Sequence, residues 1–402
     1  MGNSLLDCGP NPDVVSQSVD IFNFYTESSW IEGAATEQVR QVAAMDDVSG
    51  ISVFPDLHPG KFGPVGVAVQ SRDLHPAFIG NDIGCGMAVY RLDLPVRKLR
   101  VDKAASKLRL LSDVWDGNAE ERLVEAGLPV SLFPTSLGTI GGGNHFCEVQ
   151  AVDEVLGEPG NIDAQSVYLL IHTGSRGLGE QTFDLLNGEA RLRIAVESSL
   201  VEGYIAGHDV CVAWAQLNRR IVAERVAELL GCDLDFVCDV PHNLVSKSDN
   251  GFLHRKGAAV AMPGDVAPIA GSRASLSYLV RALPGVVAAF NSISHGAGRK
   301  YDRAAMHHRV GRTKSDRDAL MRNEWGGLAI CEDKGLLLEE AGTAYKSAAV
   351  VVDDLTSFGL VEPIAAMRPL ITFKKANLDA AEDDRRTADA IQRRNERRFR
   401  RG

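Results

Sequence analysis

The chain has 402 residues, 45% hydrophobic and 24% charged, with seven scattered cysteines and a formal net charge of −10. This composition supports a substantial globular core and excludes disordered, collagen-like and disulfide-framework chains. No apolar run is long enough to span a bilayer, and the negative balance argues against a protein that coats nucleic acid by neutralising phosphates. An enzyme gripping a few nucleotides at a local positive site remains open. With no basic-then-apolar leader and an odd number of cysteines, a reducing cytoplasmic location is expected.

Residues 28–45 predict a helix, with Ser28 or Ser29 as N-cap and Ile31, Ala34, Val39 and Val42 as an apolar face. Residues 51–54 read as a short strand running into Pro55-Asp56-Leu57-His58-Pro59-Gly60. There Asp56 and His58 either cap a turn or stand at a sheet edge as polar site groups. In Gly80-Asn81-Asp82-Ile83-Gly84-Cys85-Gly86 a carboxylate and a thiol lie close together before an apolar strand. They suit one metal or a pair, because a thiolate can bridge two ions while the carboxylate completes one shell. The alternative is a tight turn around an inert buried cysteine. Residues 94–128 are charged and periodic and read as helical, with Leu108, Leu110, Leu111 and Val114 apolar.

Gly141-Gly142-Gly143-Asn144-His145-Phe146-Cys147-Glu148 is more specific, because three consecutive glycines are not chosen for packing. By strand alternation Asn144, Phe146 and Glu148 share one face and His145 takes the other. The segment can therefore serve a nucleotide on one side and a metal on the other. Residues 167–171 form a continuous apolar run, a buried strand, ending in His172-Thr173-Gly174-Ser175-Arg176-Gly177. Residues 191–230 read as a long amphipathic scaffold helix. The strand at 236–241 leads to His242-Asn243, and Leu253-His254-Arg255-Lys256-Gly257 concentrates positive charge.

Residues 263–278 are turn-rich, with serine hydroxyls suited to phosphate oxygens. In Ser294-His295-Gly296-Ala297-Gly298-Arg299 the glycines remove Cβ atoms that would keep an anion away, and Arg299 adds positive potential. Residues 370–373 read as a strand ending at Lys374-Lys375. Residues 376–402 are Arg-rich and read as a solvated helical or disordered tail, with an RNA-contacting arm as the alternative.

Asp82, Cys85, His145, His172 and His242 are good ligands dispersed along the chain, as in a catalytic site assembled by a fold rather than by a finger motif. Five ligands suffice for two ions if Cys85 is shared. The thiolate and imidazoles favour zinc on intrinsic affinity, so ligand chemistry alone does not choose manganese. His295 is left free to react. An imidazole attacking a nucleotide α-phosphate would form a phosphoramidate and release pyrophosphate, which requires the neutral ring.

The segments Gly-Asn-Asp-Ile-Gly-Cys-Gly-Met, Gly-Gly-Gly-Asn-His-Phe, His-Thr-Gly-Ser-Arg-Gly, Pro-His-Asn, His-Arg-Lys-Gly-Ala and Ser-His-Gly-Ala-Gly-Arg occur in this order. Together they resemble the RtcB family of RNA ligases from about residue 30 to residue 374. Ser-Trp-Ile-Glu-Gly and Pro-Asp-Leu-His-Pro-Gly look most like the branch associated with peptide release factor H, linked to repair of damaged ribosomal RNA.

The resemblance implies a mixed α/β (α+β) fold of the RtcB type. Residues 1–375 would be one large catalytic domain with mixed β-sheets surrounded by helices. It implies a GTP-dependent ligase with two Mn2+ ions. Cys85 would bridge them, with His172 and His242 on one ion and Asp82 and His145 on the other. His295 would become guanylylated. Asn144, Glu148, Asn243, Ser272, Ser277, Gly296, Gly298, Tyr345 and Lys374 fall at positions expected to hold GTP, and Arg176 at one that engages RNA phosphate. The implied partner is RNA with 2′,3′-cyclic phosphate or 3′-phosphate ends and 5′-hydroxyl ends. Release factor H, the ribosome and an accessory activator are implied as further partners, and no membrane.

The chain departs from the family's usual Pro-Gly-Ser-Met-Gly at Ala270-Gly271-Ser272-Arg273-Ala274. Arg273 is therefore expected to alter nucleotide affinity or base preference. Two other readings stand beside the ligase: a binuclear phosphoesterase using metal-bound hydroxide, and a non-catalytic protein binding RNA or a release factor.

Overall fold

The computed structural model describes residues 19–374, apart from 159, 161, 312 and 332. Its larger sheet has eight strands. Seven run in the order Val266–Ile269, Ser277–Ala282, Val361–Lys374, Phe146–Val155, Ser166–Thr173, Gly86–Pro95, Leu234–Pro241. Leu328–Cys331 pairs in parallel with the end of Val361–Lys374. Every residue of Ser166–Thr173 is buried, so its unbroken apolar run is that of a strand covered on both faces. Tyr168 and Leu170 point into one core, and Val167, Leu169 and Ile171 into another.

The helix Leu200–Leu230 covers the second core with Val222, Ala223, Val226 and Ala227. It ends at Gly231, whose φ of 74° is the left-handed conformation that glycine adopts without steric cost. Leu169 is fully buried between these layers. Leu169→Ala is expected to cost about 2–5 kcal/mol of stability through lost burial and the cavity left behind, read as a lower urea midpoint.

A five-stranded sheet runs in the order Asp20–Asn23, Val48–His58, Val65–Ser71, Gly251–Lys256, Asn243–Ser248. The helix Gly33–Ala43 buries Ala35, Val39 and Val42 against one face of it. From the other face Phe54, Ala68 and Leu253 enter the first core of the larger sheet. Leu234–Pro241 belongs to the larger sheet and Asn243–Ser248 to the smaller, so His242 alone spans the crossing between them.

These elements bear out the mixed α/β class and correct several boundaries. The first helix begins at Gly33 and has no side-chain cap. The hydroxyls of Thr26 and Ser29, near the expected cap, donate to Asp354 instead, and Ala35 rather than Ala34 is buried. Residues 94–128 are not one helix. The chain stays extended to Pro95, then forms Val101–Leu108 and Ala119–Glu125 with 3-10 turns at Val96–Lys98 and Arg109–Ser112, leaving Leu110 and Val114 exposed.

The long helix starts at Leu200, not 191, because Ile194 exchanges both backbone hydrogen bonds with Leu74, and that extended pairing competes with helix. The strands expected at 51–54 and 370–373 are the interiors of longer ones, Val48–His58 and Val361–Lys374. Among the described residues no helix is long and apolar enough to cross a membrane. The Arg-rich tail lies outside the described residues.

Candidate active site

Strand register gathers the ligands. Gly86 pairs with both Thr173 and Pro241, and Phe146 pairs with His172. Four strand termini therefore meet at one edge of the sheet, bringing Cys85, His145, His172 and His242 together. Cys85 Sγ lies 3.2 Å from His172 Nε2 and 3.3 Å from His145 Nε2. His172 Nε2 continues to His242 Nε2 at 3.2 Å, and His145 Nε2 to Asp82 Oδ2 at 3.2 Å. The contacts run from His242 through His172, Cys85 and His145 to Asp82, with the thiol in the middle.

The donor atoms of Cys85, His145 and His172 all lie within 4.8 Å of one another. Burial holds the His172 and His242 rings neutral by pushing them well below the usual imidazole range. Neutral Nε2 atoms, a sulfur and a carboxylate facing one another form the donor set of a divalent transition metal, and this order of contacts suits two ions sharing the sulfur. The residues present therefore fit the metals expected of them. The approach of Asp82 depends on Gly174, where a Cβ would stand 2.1 Å from Asp82 Oδ1.

Arg219, fully buried in the long helix, braces this edge from beneath. Its Nη1 donates to the carbonyls of Gly84 at 3.0 Å and Thr173 at 2.7 Å, while Nε reaches Asp239 at 2.9 Å. The helix read as scaffold thus also positions the ligand-bearing turns. The sequence signal for this was weak, since Arg219 adjoins Arg220 and shares the helix with the buried polar residues His208, Asn218 and Arg225.

A cavity of about 360 Å³ opens beside the cluster. Asn144, Phe146 and Glu148 line it while His145 lies against Cys85, the division expected, but the strand begins only at Phe146, so Asn144 and His145 are placed by the turn before it. Ser272, Gly296, Gly298, Tyr345 and Lys374 also line it. Asn243 and Ser277 do not. Asn243 accepts from Gly257 N–H at 3.0 Å and donates to the Asp82 carbonyl, and Ser277 Oγ accepts from Gly271 N–H at 3.0 Å, so both shape the wall from behind. Arg176 is not among the lining residues; its φ is +57°, and its guanidinium lies where a Cβ on Gly141 would otherwise stand. Arg273 lines the cavity but is buried, donating to the Leu337 carbonyl at 2.7 Å.

His295 lines the same cavity, its ring centroid 4.5 Å from that of His242. Its Nδ1 lies 2.7 Å from both Asp56 Oδ2 and the Gly257 carbonyl. Both neighbours only accept, so Nδ1 carries the proton and the neutral ring keeps its lone pair on Nε2. Asp56 is itself fully buried and accepts from Ser294 Oγ at 2.9 Å through its other oxygen. Lys346 Nζ ties down the carbonyls on either side of it, Pro55 at 2.9 Å and Leu57 at 2.6 Å. Of the sequence alternatives for Asp56, the structure selects the polar site group.

Glu340 was not singled out by its motif, yet it organises the far wall. It takes hydrogen bonds from Arg299 at 3.0 Å, Lys374 at 3.0 Å and the Tyr345 hydroxyl. Burial alone would raise its pKa, but Lys374 and Arg299 beside it outweigh that and hold it down to about 2. Glu148 is the opposite case. Burial pushes its carboxyl up to about 7, although Thr372 and Gln150 donate to it. The cavity thus has a cationic wall around one ionised carboxylate, and a second carboxyl whose acidity burial weakens.

The family model described as "tRNA-splicing ligase RtcB" matches residues 38–125 and 131–375. The chain is 38% identical over 375 residues to "RNA-splicing ligase RtcB2" of Escherichia coli, spanning 89% of this chain and 96% of that protein. It is 29% identical to "tRNA-splicing ligase RtcB" of Archaeoglobus fulgidus, over 85% and 91% of the two chains. Against "RNA-splicing ligase RtcB" of Escherichia coli K12 the identity is 27%, over 87% and 96%.

Proposed function

We propose that this chain, which belongs to the RtcB family, is a GTP- and manganese-dependent RNA ligase joining 3′-phosphate or 2′,3′-cyclic phosphate ends to 5′-hydroxyl ends. The observation that carries the reading is His295, whose Nδ1–H is committed to Asp56 and Gly257 so that Nε2 is the reactive atom beside a nucleotide-sized cavity. In the first step Nε2 attacks the α-phosphorus of GTP. A P–N bond forms, the P–O bond to pyrophosphate breaks, and the Nδ1 proton stays with the ring, balanced by the Asp56 carboxylate. A cyclic RNA end is opened by water to the 3′-phosphate. One of its oxygens then attacks the guanylyl phosphorus, the P–N bond breaks, and His295 is regenerated neutral. Finally the RNA 5′-hydroxyl attacks the 3′-phosphorus, its proton passing to solvent, and the phosphoanhydride bond breaks to release GMP.

Two manganese ions, held by Cys85 with His172 and His242 and by Cys85 with Asp82 and His145, would neutralise phosphate oxygens and favour the leaving groups. Within the cavity, Glu148 is suited to accept from guanine N–H donors, and Lys374 and Arg299 to meet phosphate or base oxygens. The reading assigns catalysis to residues 1–375 and treats 376–402 as an appended tail, in a cytoplasmic protein. The N-terminal motifs support the branch associated with release factor H, with broken ribosomal RNA as substrate.

The test is a joining assay with one RNA ending in a 2′,3′-cyclic phosphate and another beginning with a 5′-hydroxyl. Joined product that requires both GTP and manganese is expected. Phosphoester cleavage without GTP would replace the ligase by the phosphoesterase, and RNA binding without turnover by the binding protein. Asp56→Asn should slow formation of the GMP adduct by roughly 10²–10⁴, because an amide can present its N–H to Nδ1 and select the wrong tautomer. Rapid-quench measurement of adduct formation checks this, and an unchanged rate would remove Asp56 from the mechanism.

A further inference from the structure

A cavity of about 360 Å³ is the size of a single nucleotide-sized ligand. If GMP fills it, the RNA strand must leave past the edge of the cavity, where the lining turn ends at Lys61. The turn after His58 places Lys61 in the cavity lining and Phe62 next to it, 42% exposed. This turn is held in place. Gln38 donates to the Gly60 carbonyl at 2.9 Å and accepts from Gly60 N–H at 3.1 Å, clamping the turn to the first helix.

Phe62 rests against Phe183, ring centroids 5.7 Å apart and tilted by 50°, and the residue still keeps 42% of its surface exposed. Lys61 Nζ lies over the ring, 4.9 Å from its centre, and must swing off that face toward a phosphate for a base to stack there. On its inner side Phe62 borders Gly80, where an added Cβ would lie 3.8 Å from both Phe62 Cδ2 and Lys256 Nζ. Gly80 stands two residues before Asp82, so the ring borders the segment that carries the first ligands.

We propose that Phe62 and Lys61 form a platform for the RNA strand, a base near the reacting end stacking on the Phe62 ring while Lys61 meets the adjoining phosphate. The inference rests on the RNA-ligase reading and adds to it the surface outside the nucleotide cavity. An aromatic face beside a cation suits single-stranded nucleic acid because every base has a π-face and every linkage an anion. It therefore assigns grip without assigning sequence preference.

The test uses full-length protein and a fluorescent RNA with a 3′-phosphate, binding being read by anisotropy without GTP. Phe62→Ala should weaken binding about tenfold, within the range of roughly 5- to 150-fold for loss of one stacked base. Phe62→Trp should restore it. Among RNAs made abasic at each of the last three positions in turn, one should bind wild type as weakly as intact RNA binds Phe62→Ala, with no further loss in the variant. Transfer of GMP from GTP to His295 should be the same in both proteins, which controls for folding.

Equal affinity of wild type and Phe62→Ala for intact RNA would overturn the proposal. So would an equal loss on every abasic RNA, since that would mark Phe62 as a structural contact with Phe183. Failure of the ligase reading is separately visible, as wild type that binds RNA through Phe62 yet never joins it.

Discussion

His295→Ala protein incubated with α-labelled GTP and manganese is expected to acquire no label, whereas wild type retains an acid-labile, alkali-stable adduct. The effect should be complete, because substitution removes the nucleophile itself; losses on the order of 10⁶ are typical when the attacking group is deleted. No neighbour can replace it. His242, with the closest ring centroid at 4.5 Å, and His172 are engaged with each other and with Cys85. Lys374 lines the cavity, but its ammonium is held at 3.0 Å by Glu340 and has no free lone pair while charged. Label on Lys374 would also be an acid-labile phosphoramidate, so the modified peptide must be identified by mass spectrometry. An adduct that survives His295→Ala would transfer the nucleophile to another residue and end the reading given to the Asp56–His295 pair.

Much of this site was legible in the sequence because its ligands come with local signals. Asp82, Cys85, His145 and His172 each sit beside glycines at a strand end, and the alternation expected of a strand separated His145 from Asn144, Phe146 and Glu148, although a turn places Asn144 and His145. What local signals do not carry is pairing between distant segments. Asp56 looked like a turn residue as readily as a site group until residues 56 and 294–295 were brought side by side. Arg219 reads as one charge in a long helix, and only the register of Gly86 with Thr173 and Pro241 shows what it holds.

Asn243 and Ser277 fell at expected nucleotide positions, yet their hydrogen bonds stiffen the wall rather than face the cavity. The same limit applied to the fold. The apolar period of 94–128 was real for Leu108 and Leu111, but periodicity does not reveal that Gly86–Pro95 must remain extended to complete the sheet.

On the proposed function, Cys85→Ser should abolish guanylylation and lower the amount of manganese bound, with affinity falling by at least about 100-fold. Loss of an outer-shell partner alone costs about 10–100-fold, and Cys85 is the central donor. Its sulfur contacts both His145 and His172, so it is the member through which two sites can share charge. A serine hydroxyl does not ionise readily, and a neutral hydroxyl would leave two cations close together without the bridging anion.

Cys147→Ser is the control. Cys147 is equally buried and two residues from His145, but it points into the apolar core with Val149 and Ile171. That variant should be less stable while keeping its manganese and its GMP adduct. Metal analysis of dialysed protein beside the labelling assay separates the outcomes. If Cys85→Ser holds two ions and still accepts GMP, the sulfur is a packing group and the metals rest on Asp82 and the three histidines alone. If it loses ions while Cys147→Ser does not, the Cys85 sulfur is a metal ligand rather than a packing group.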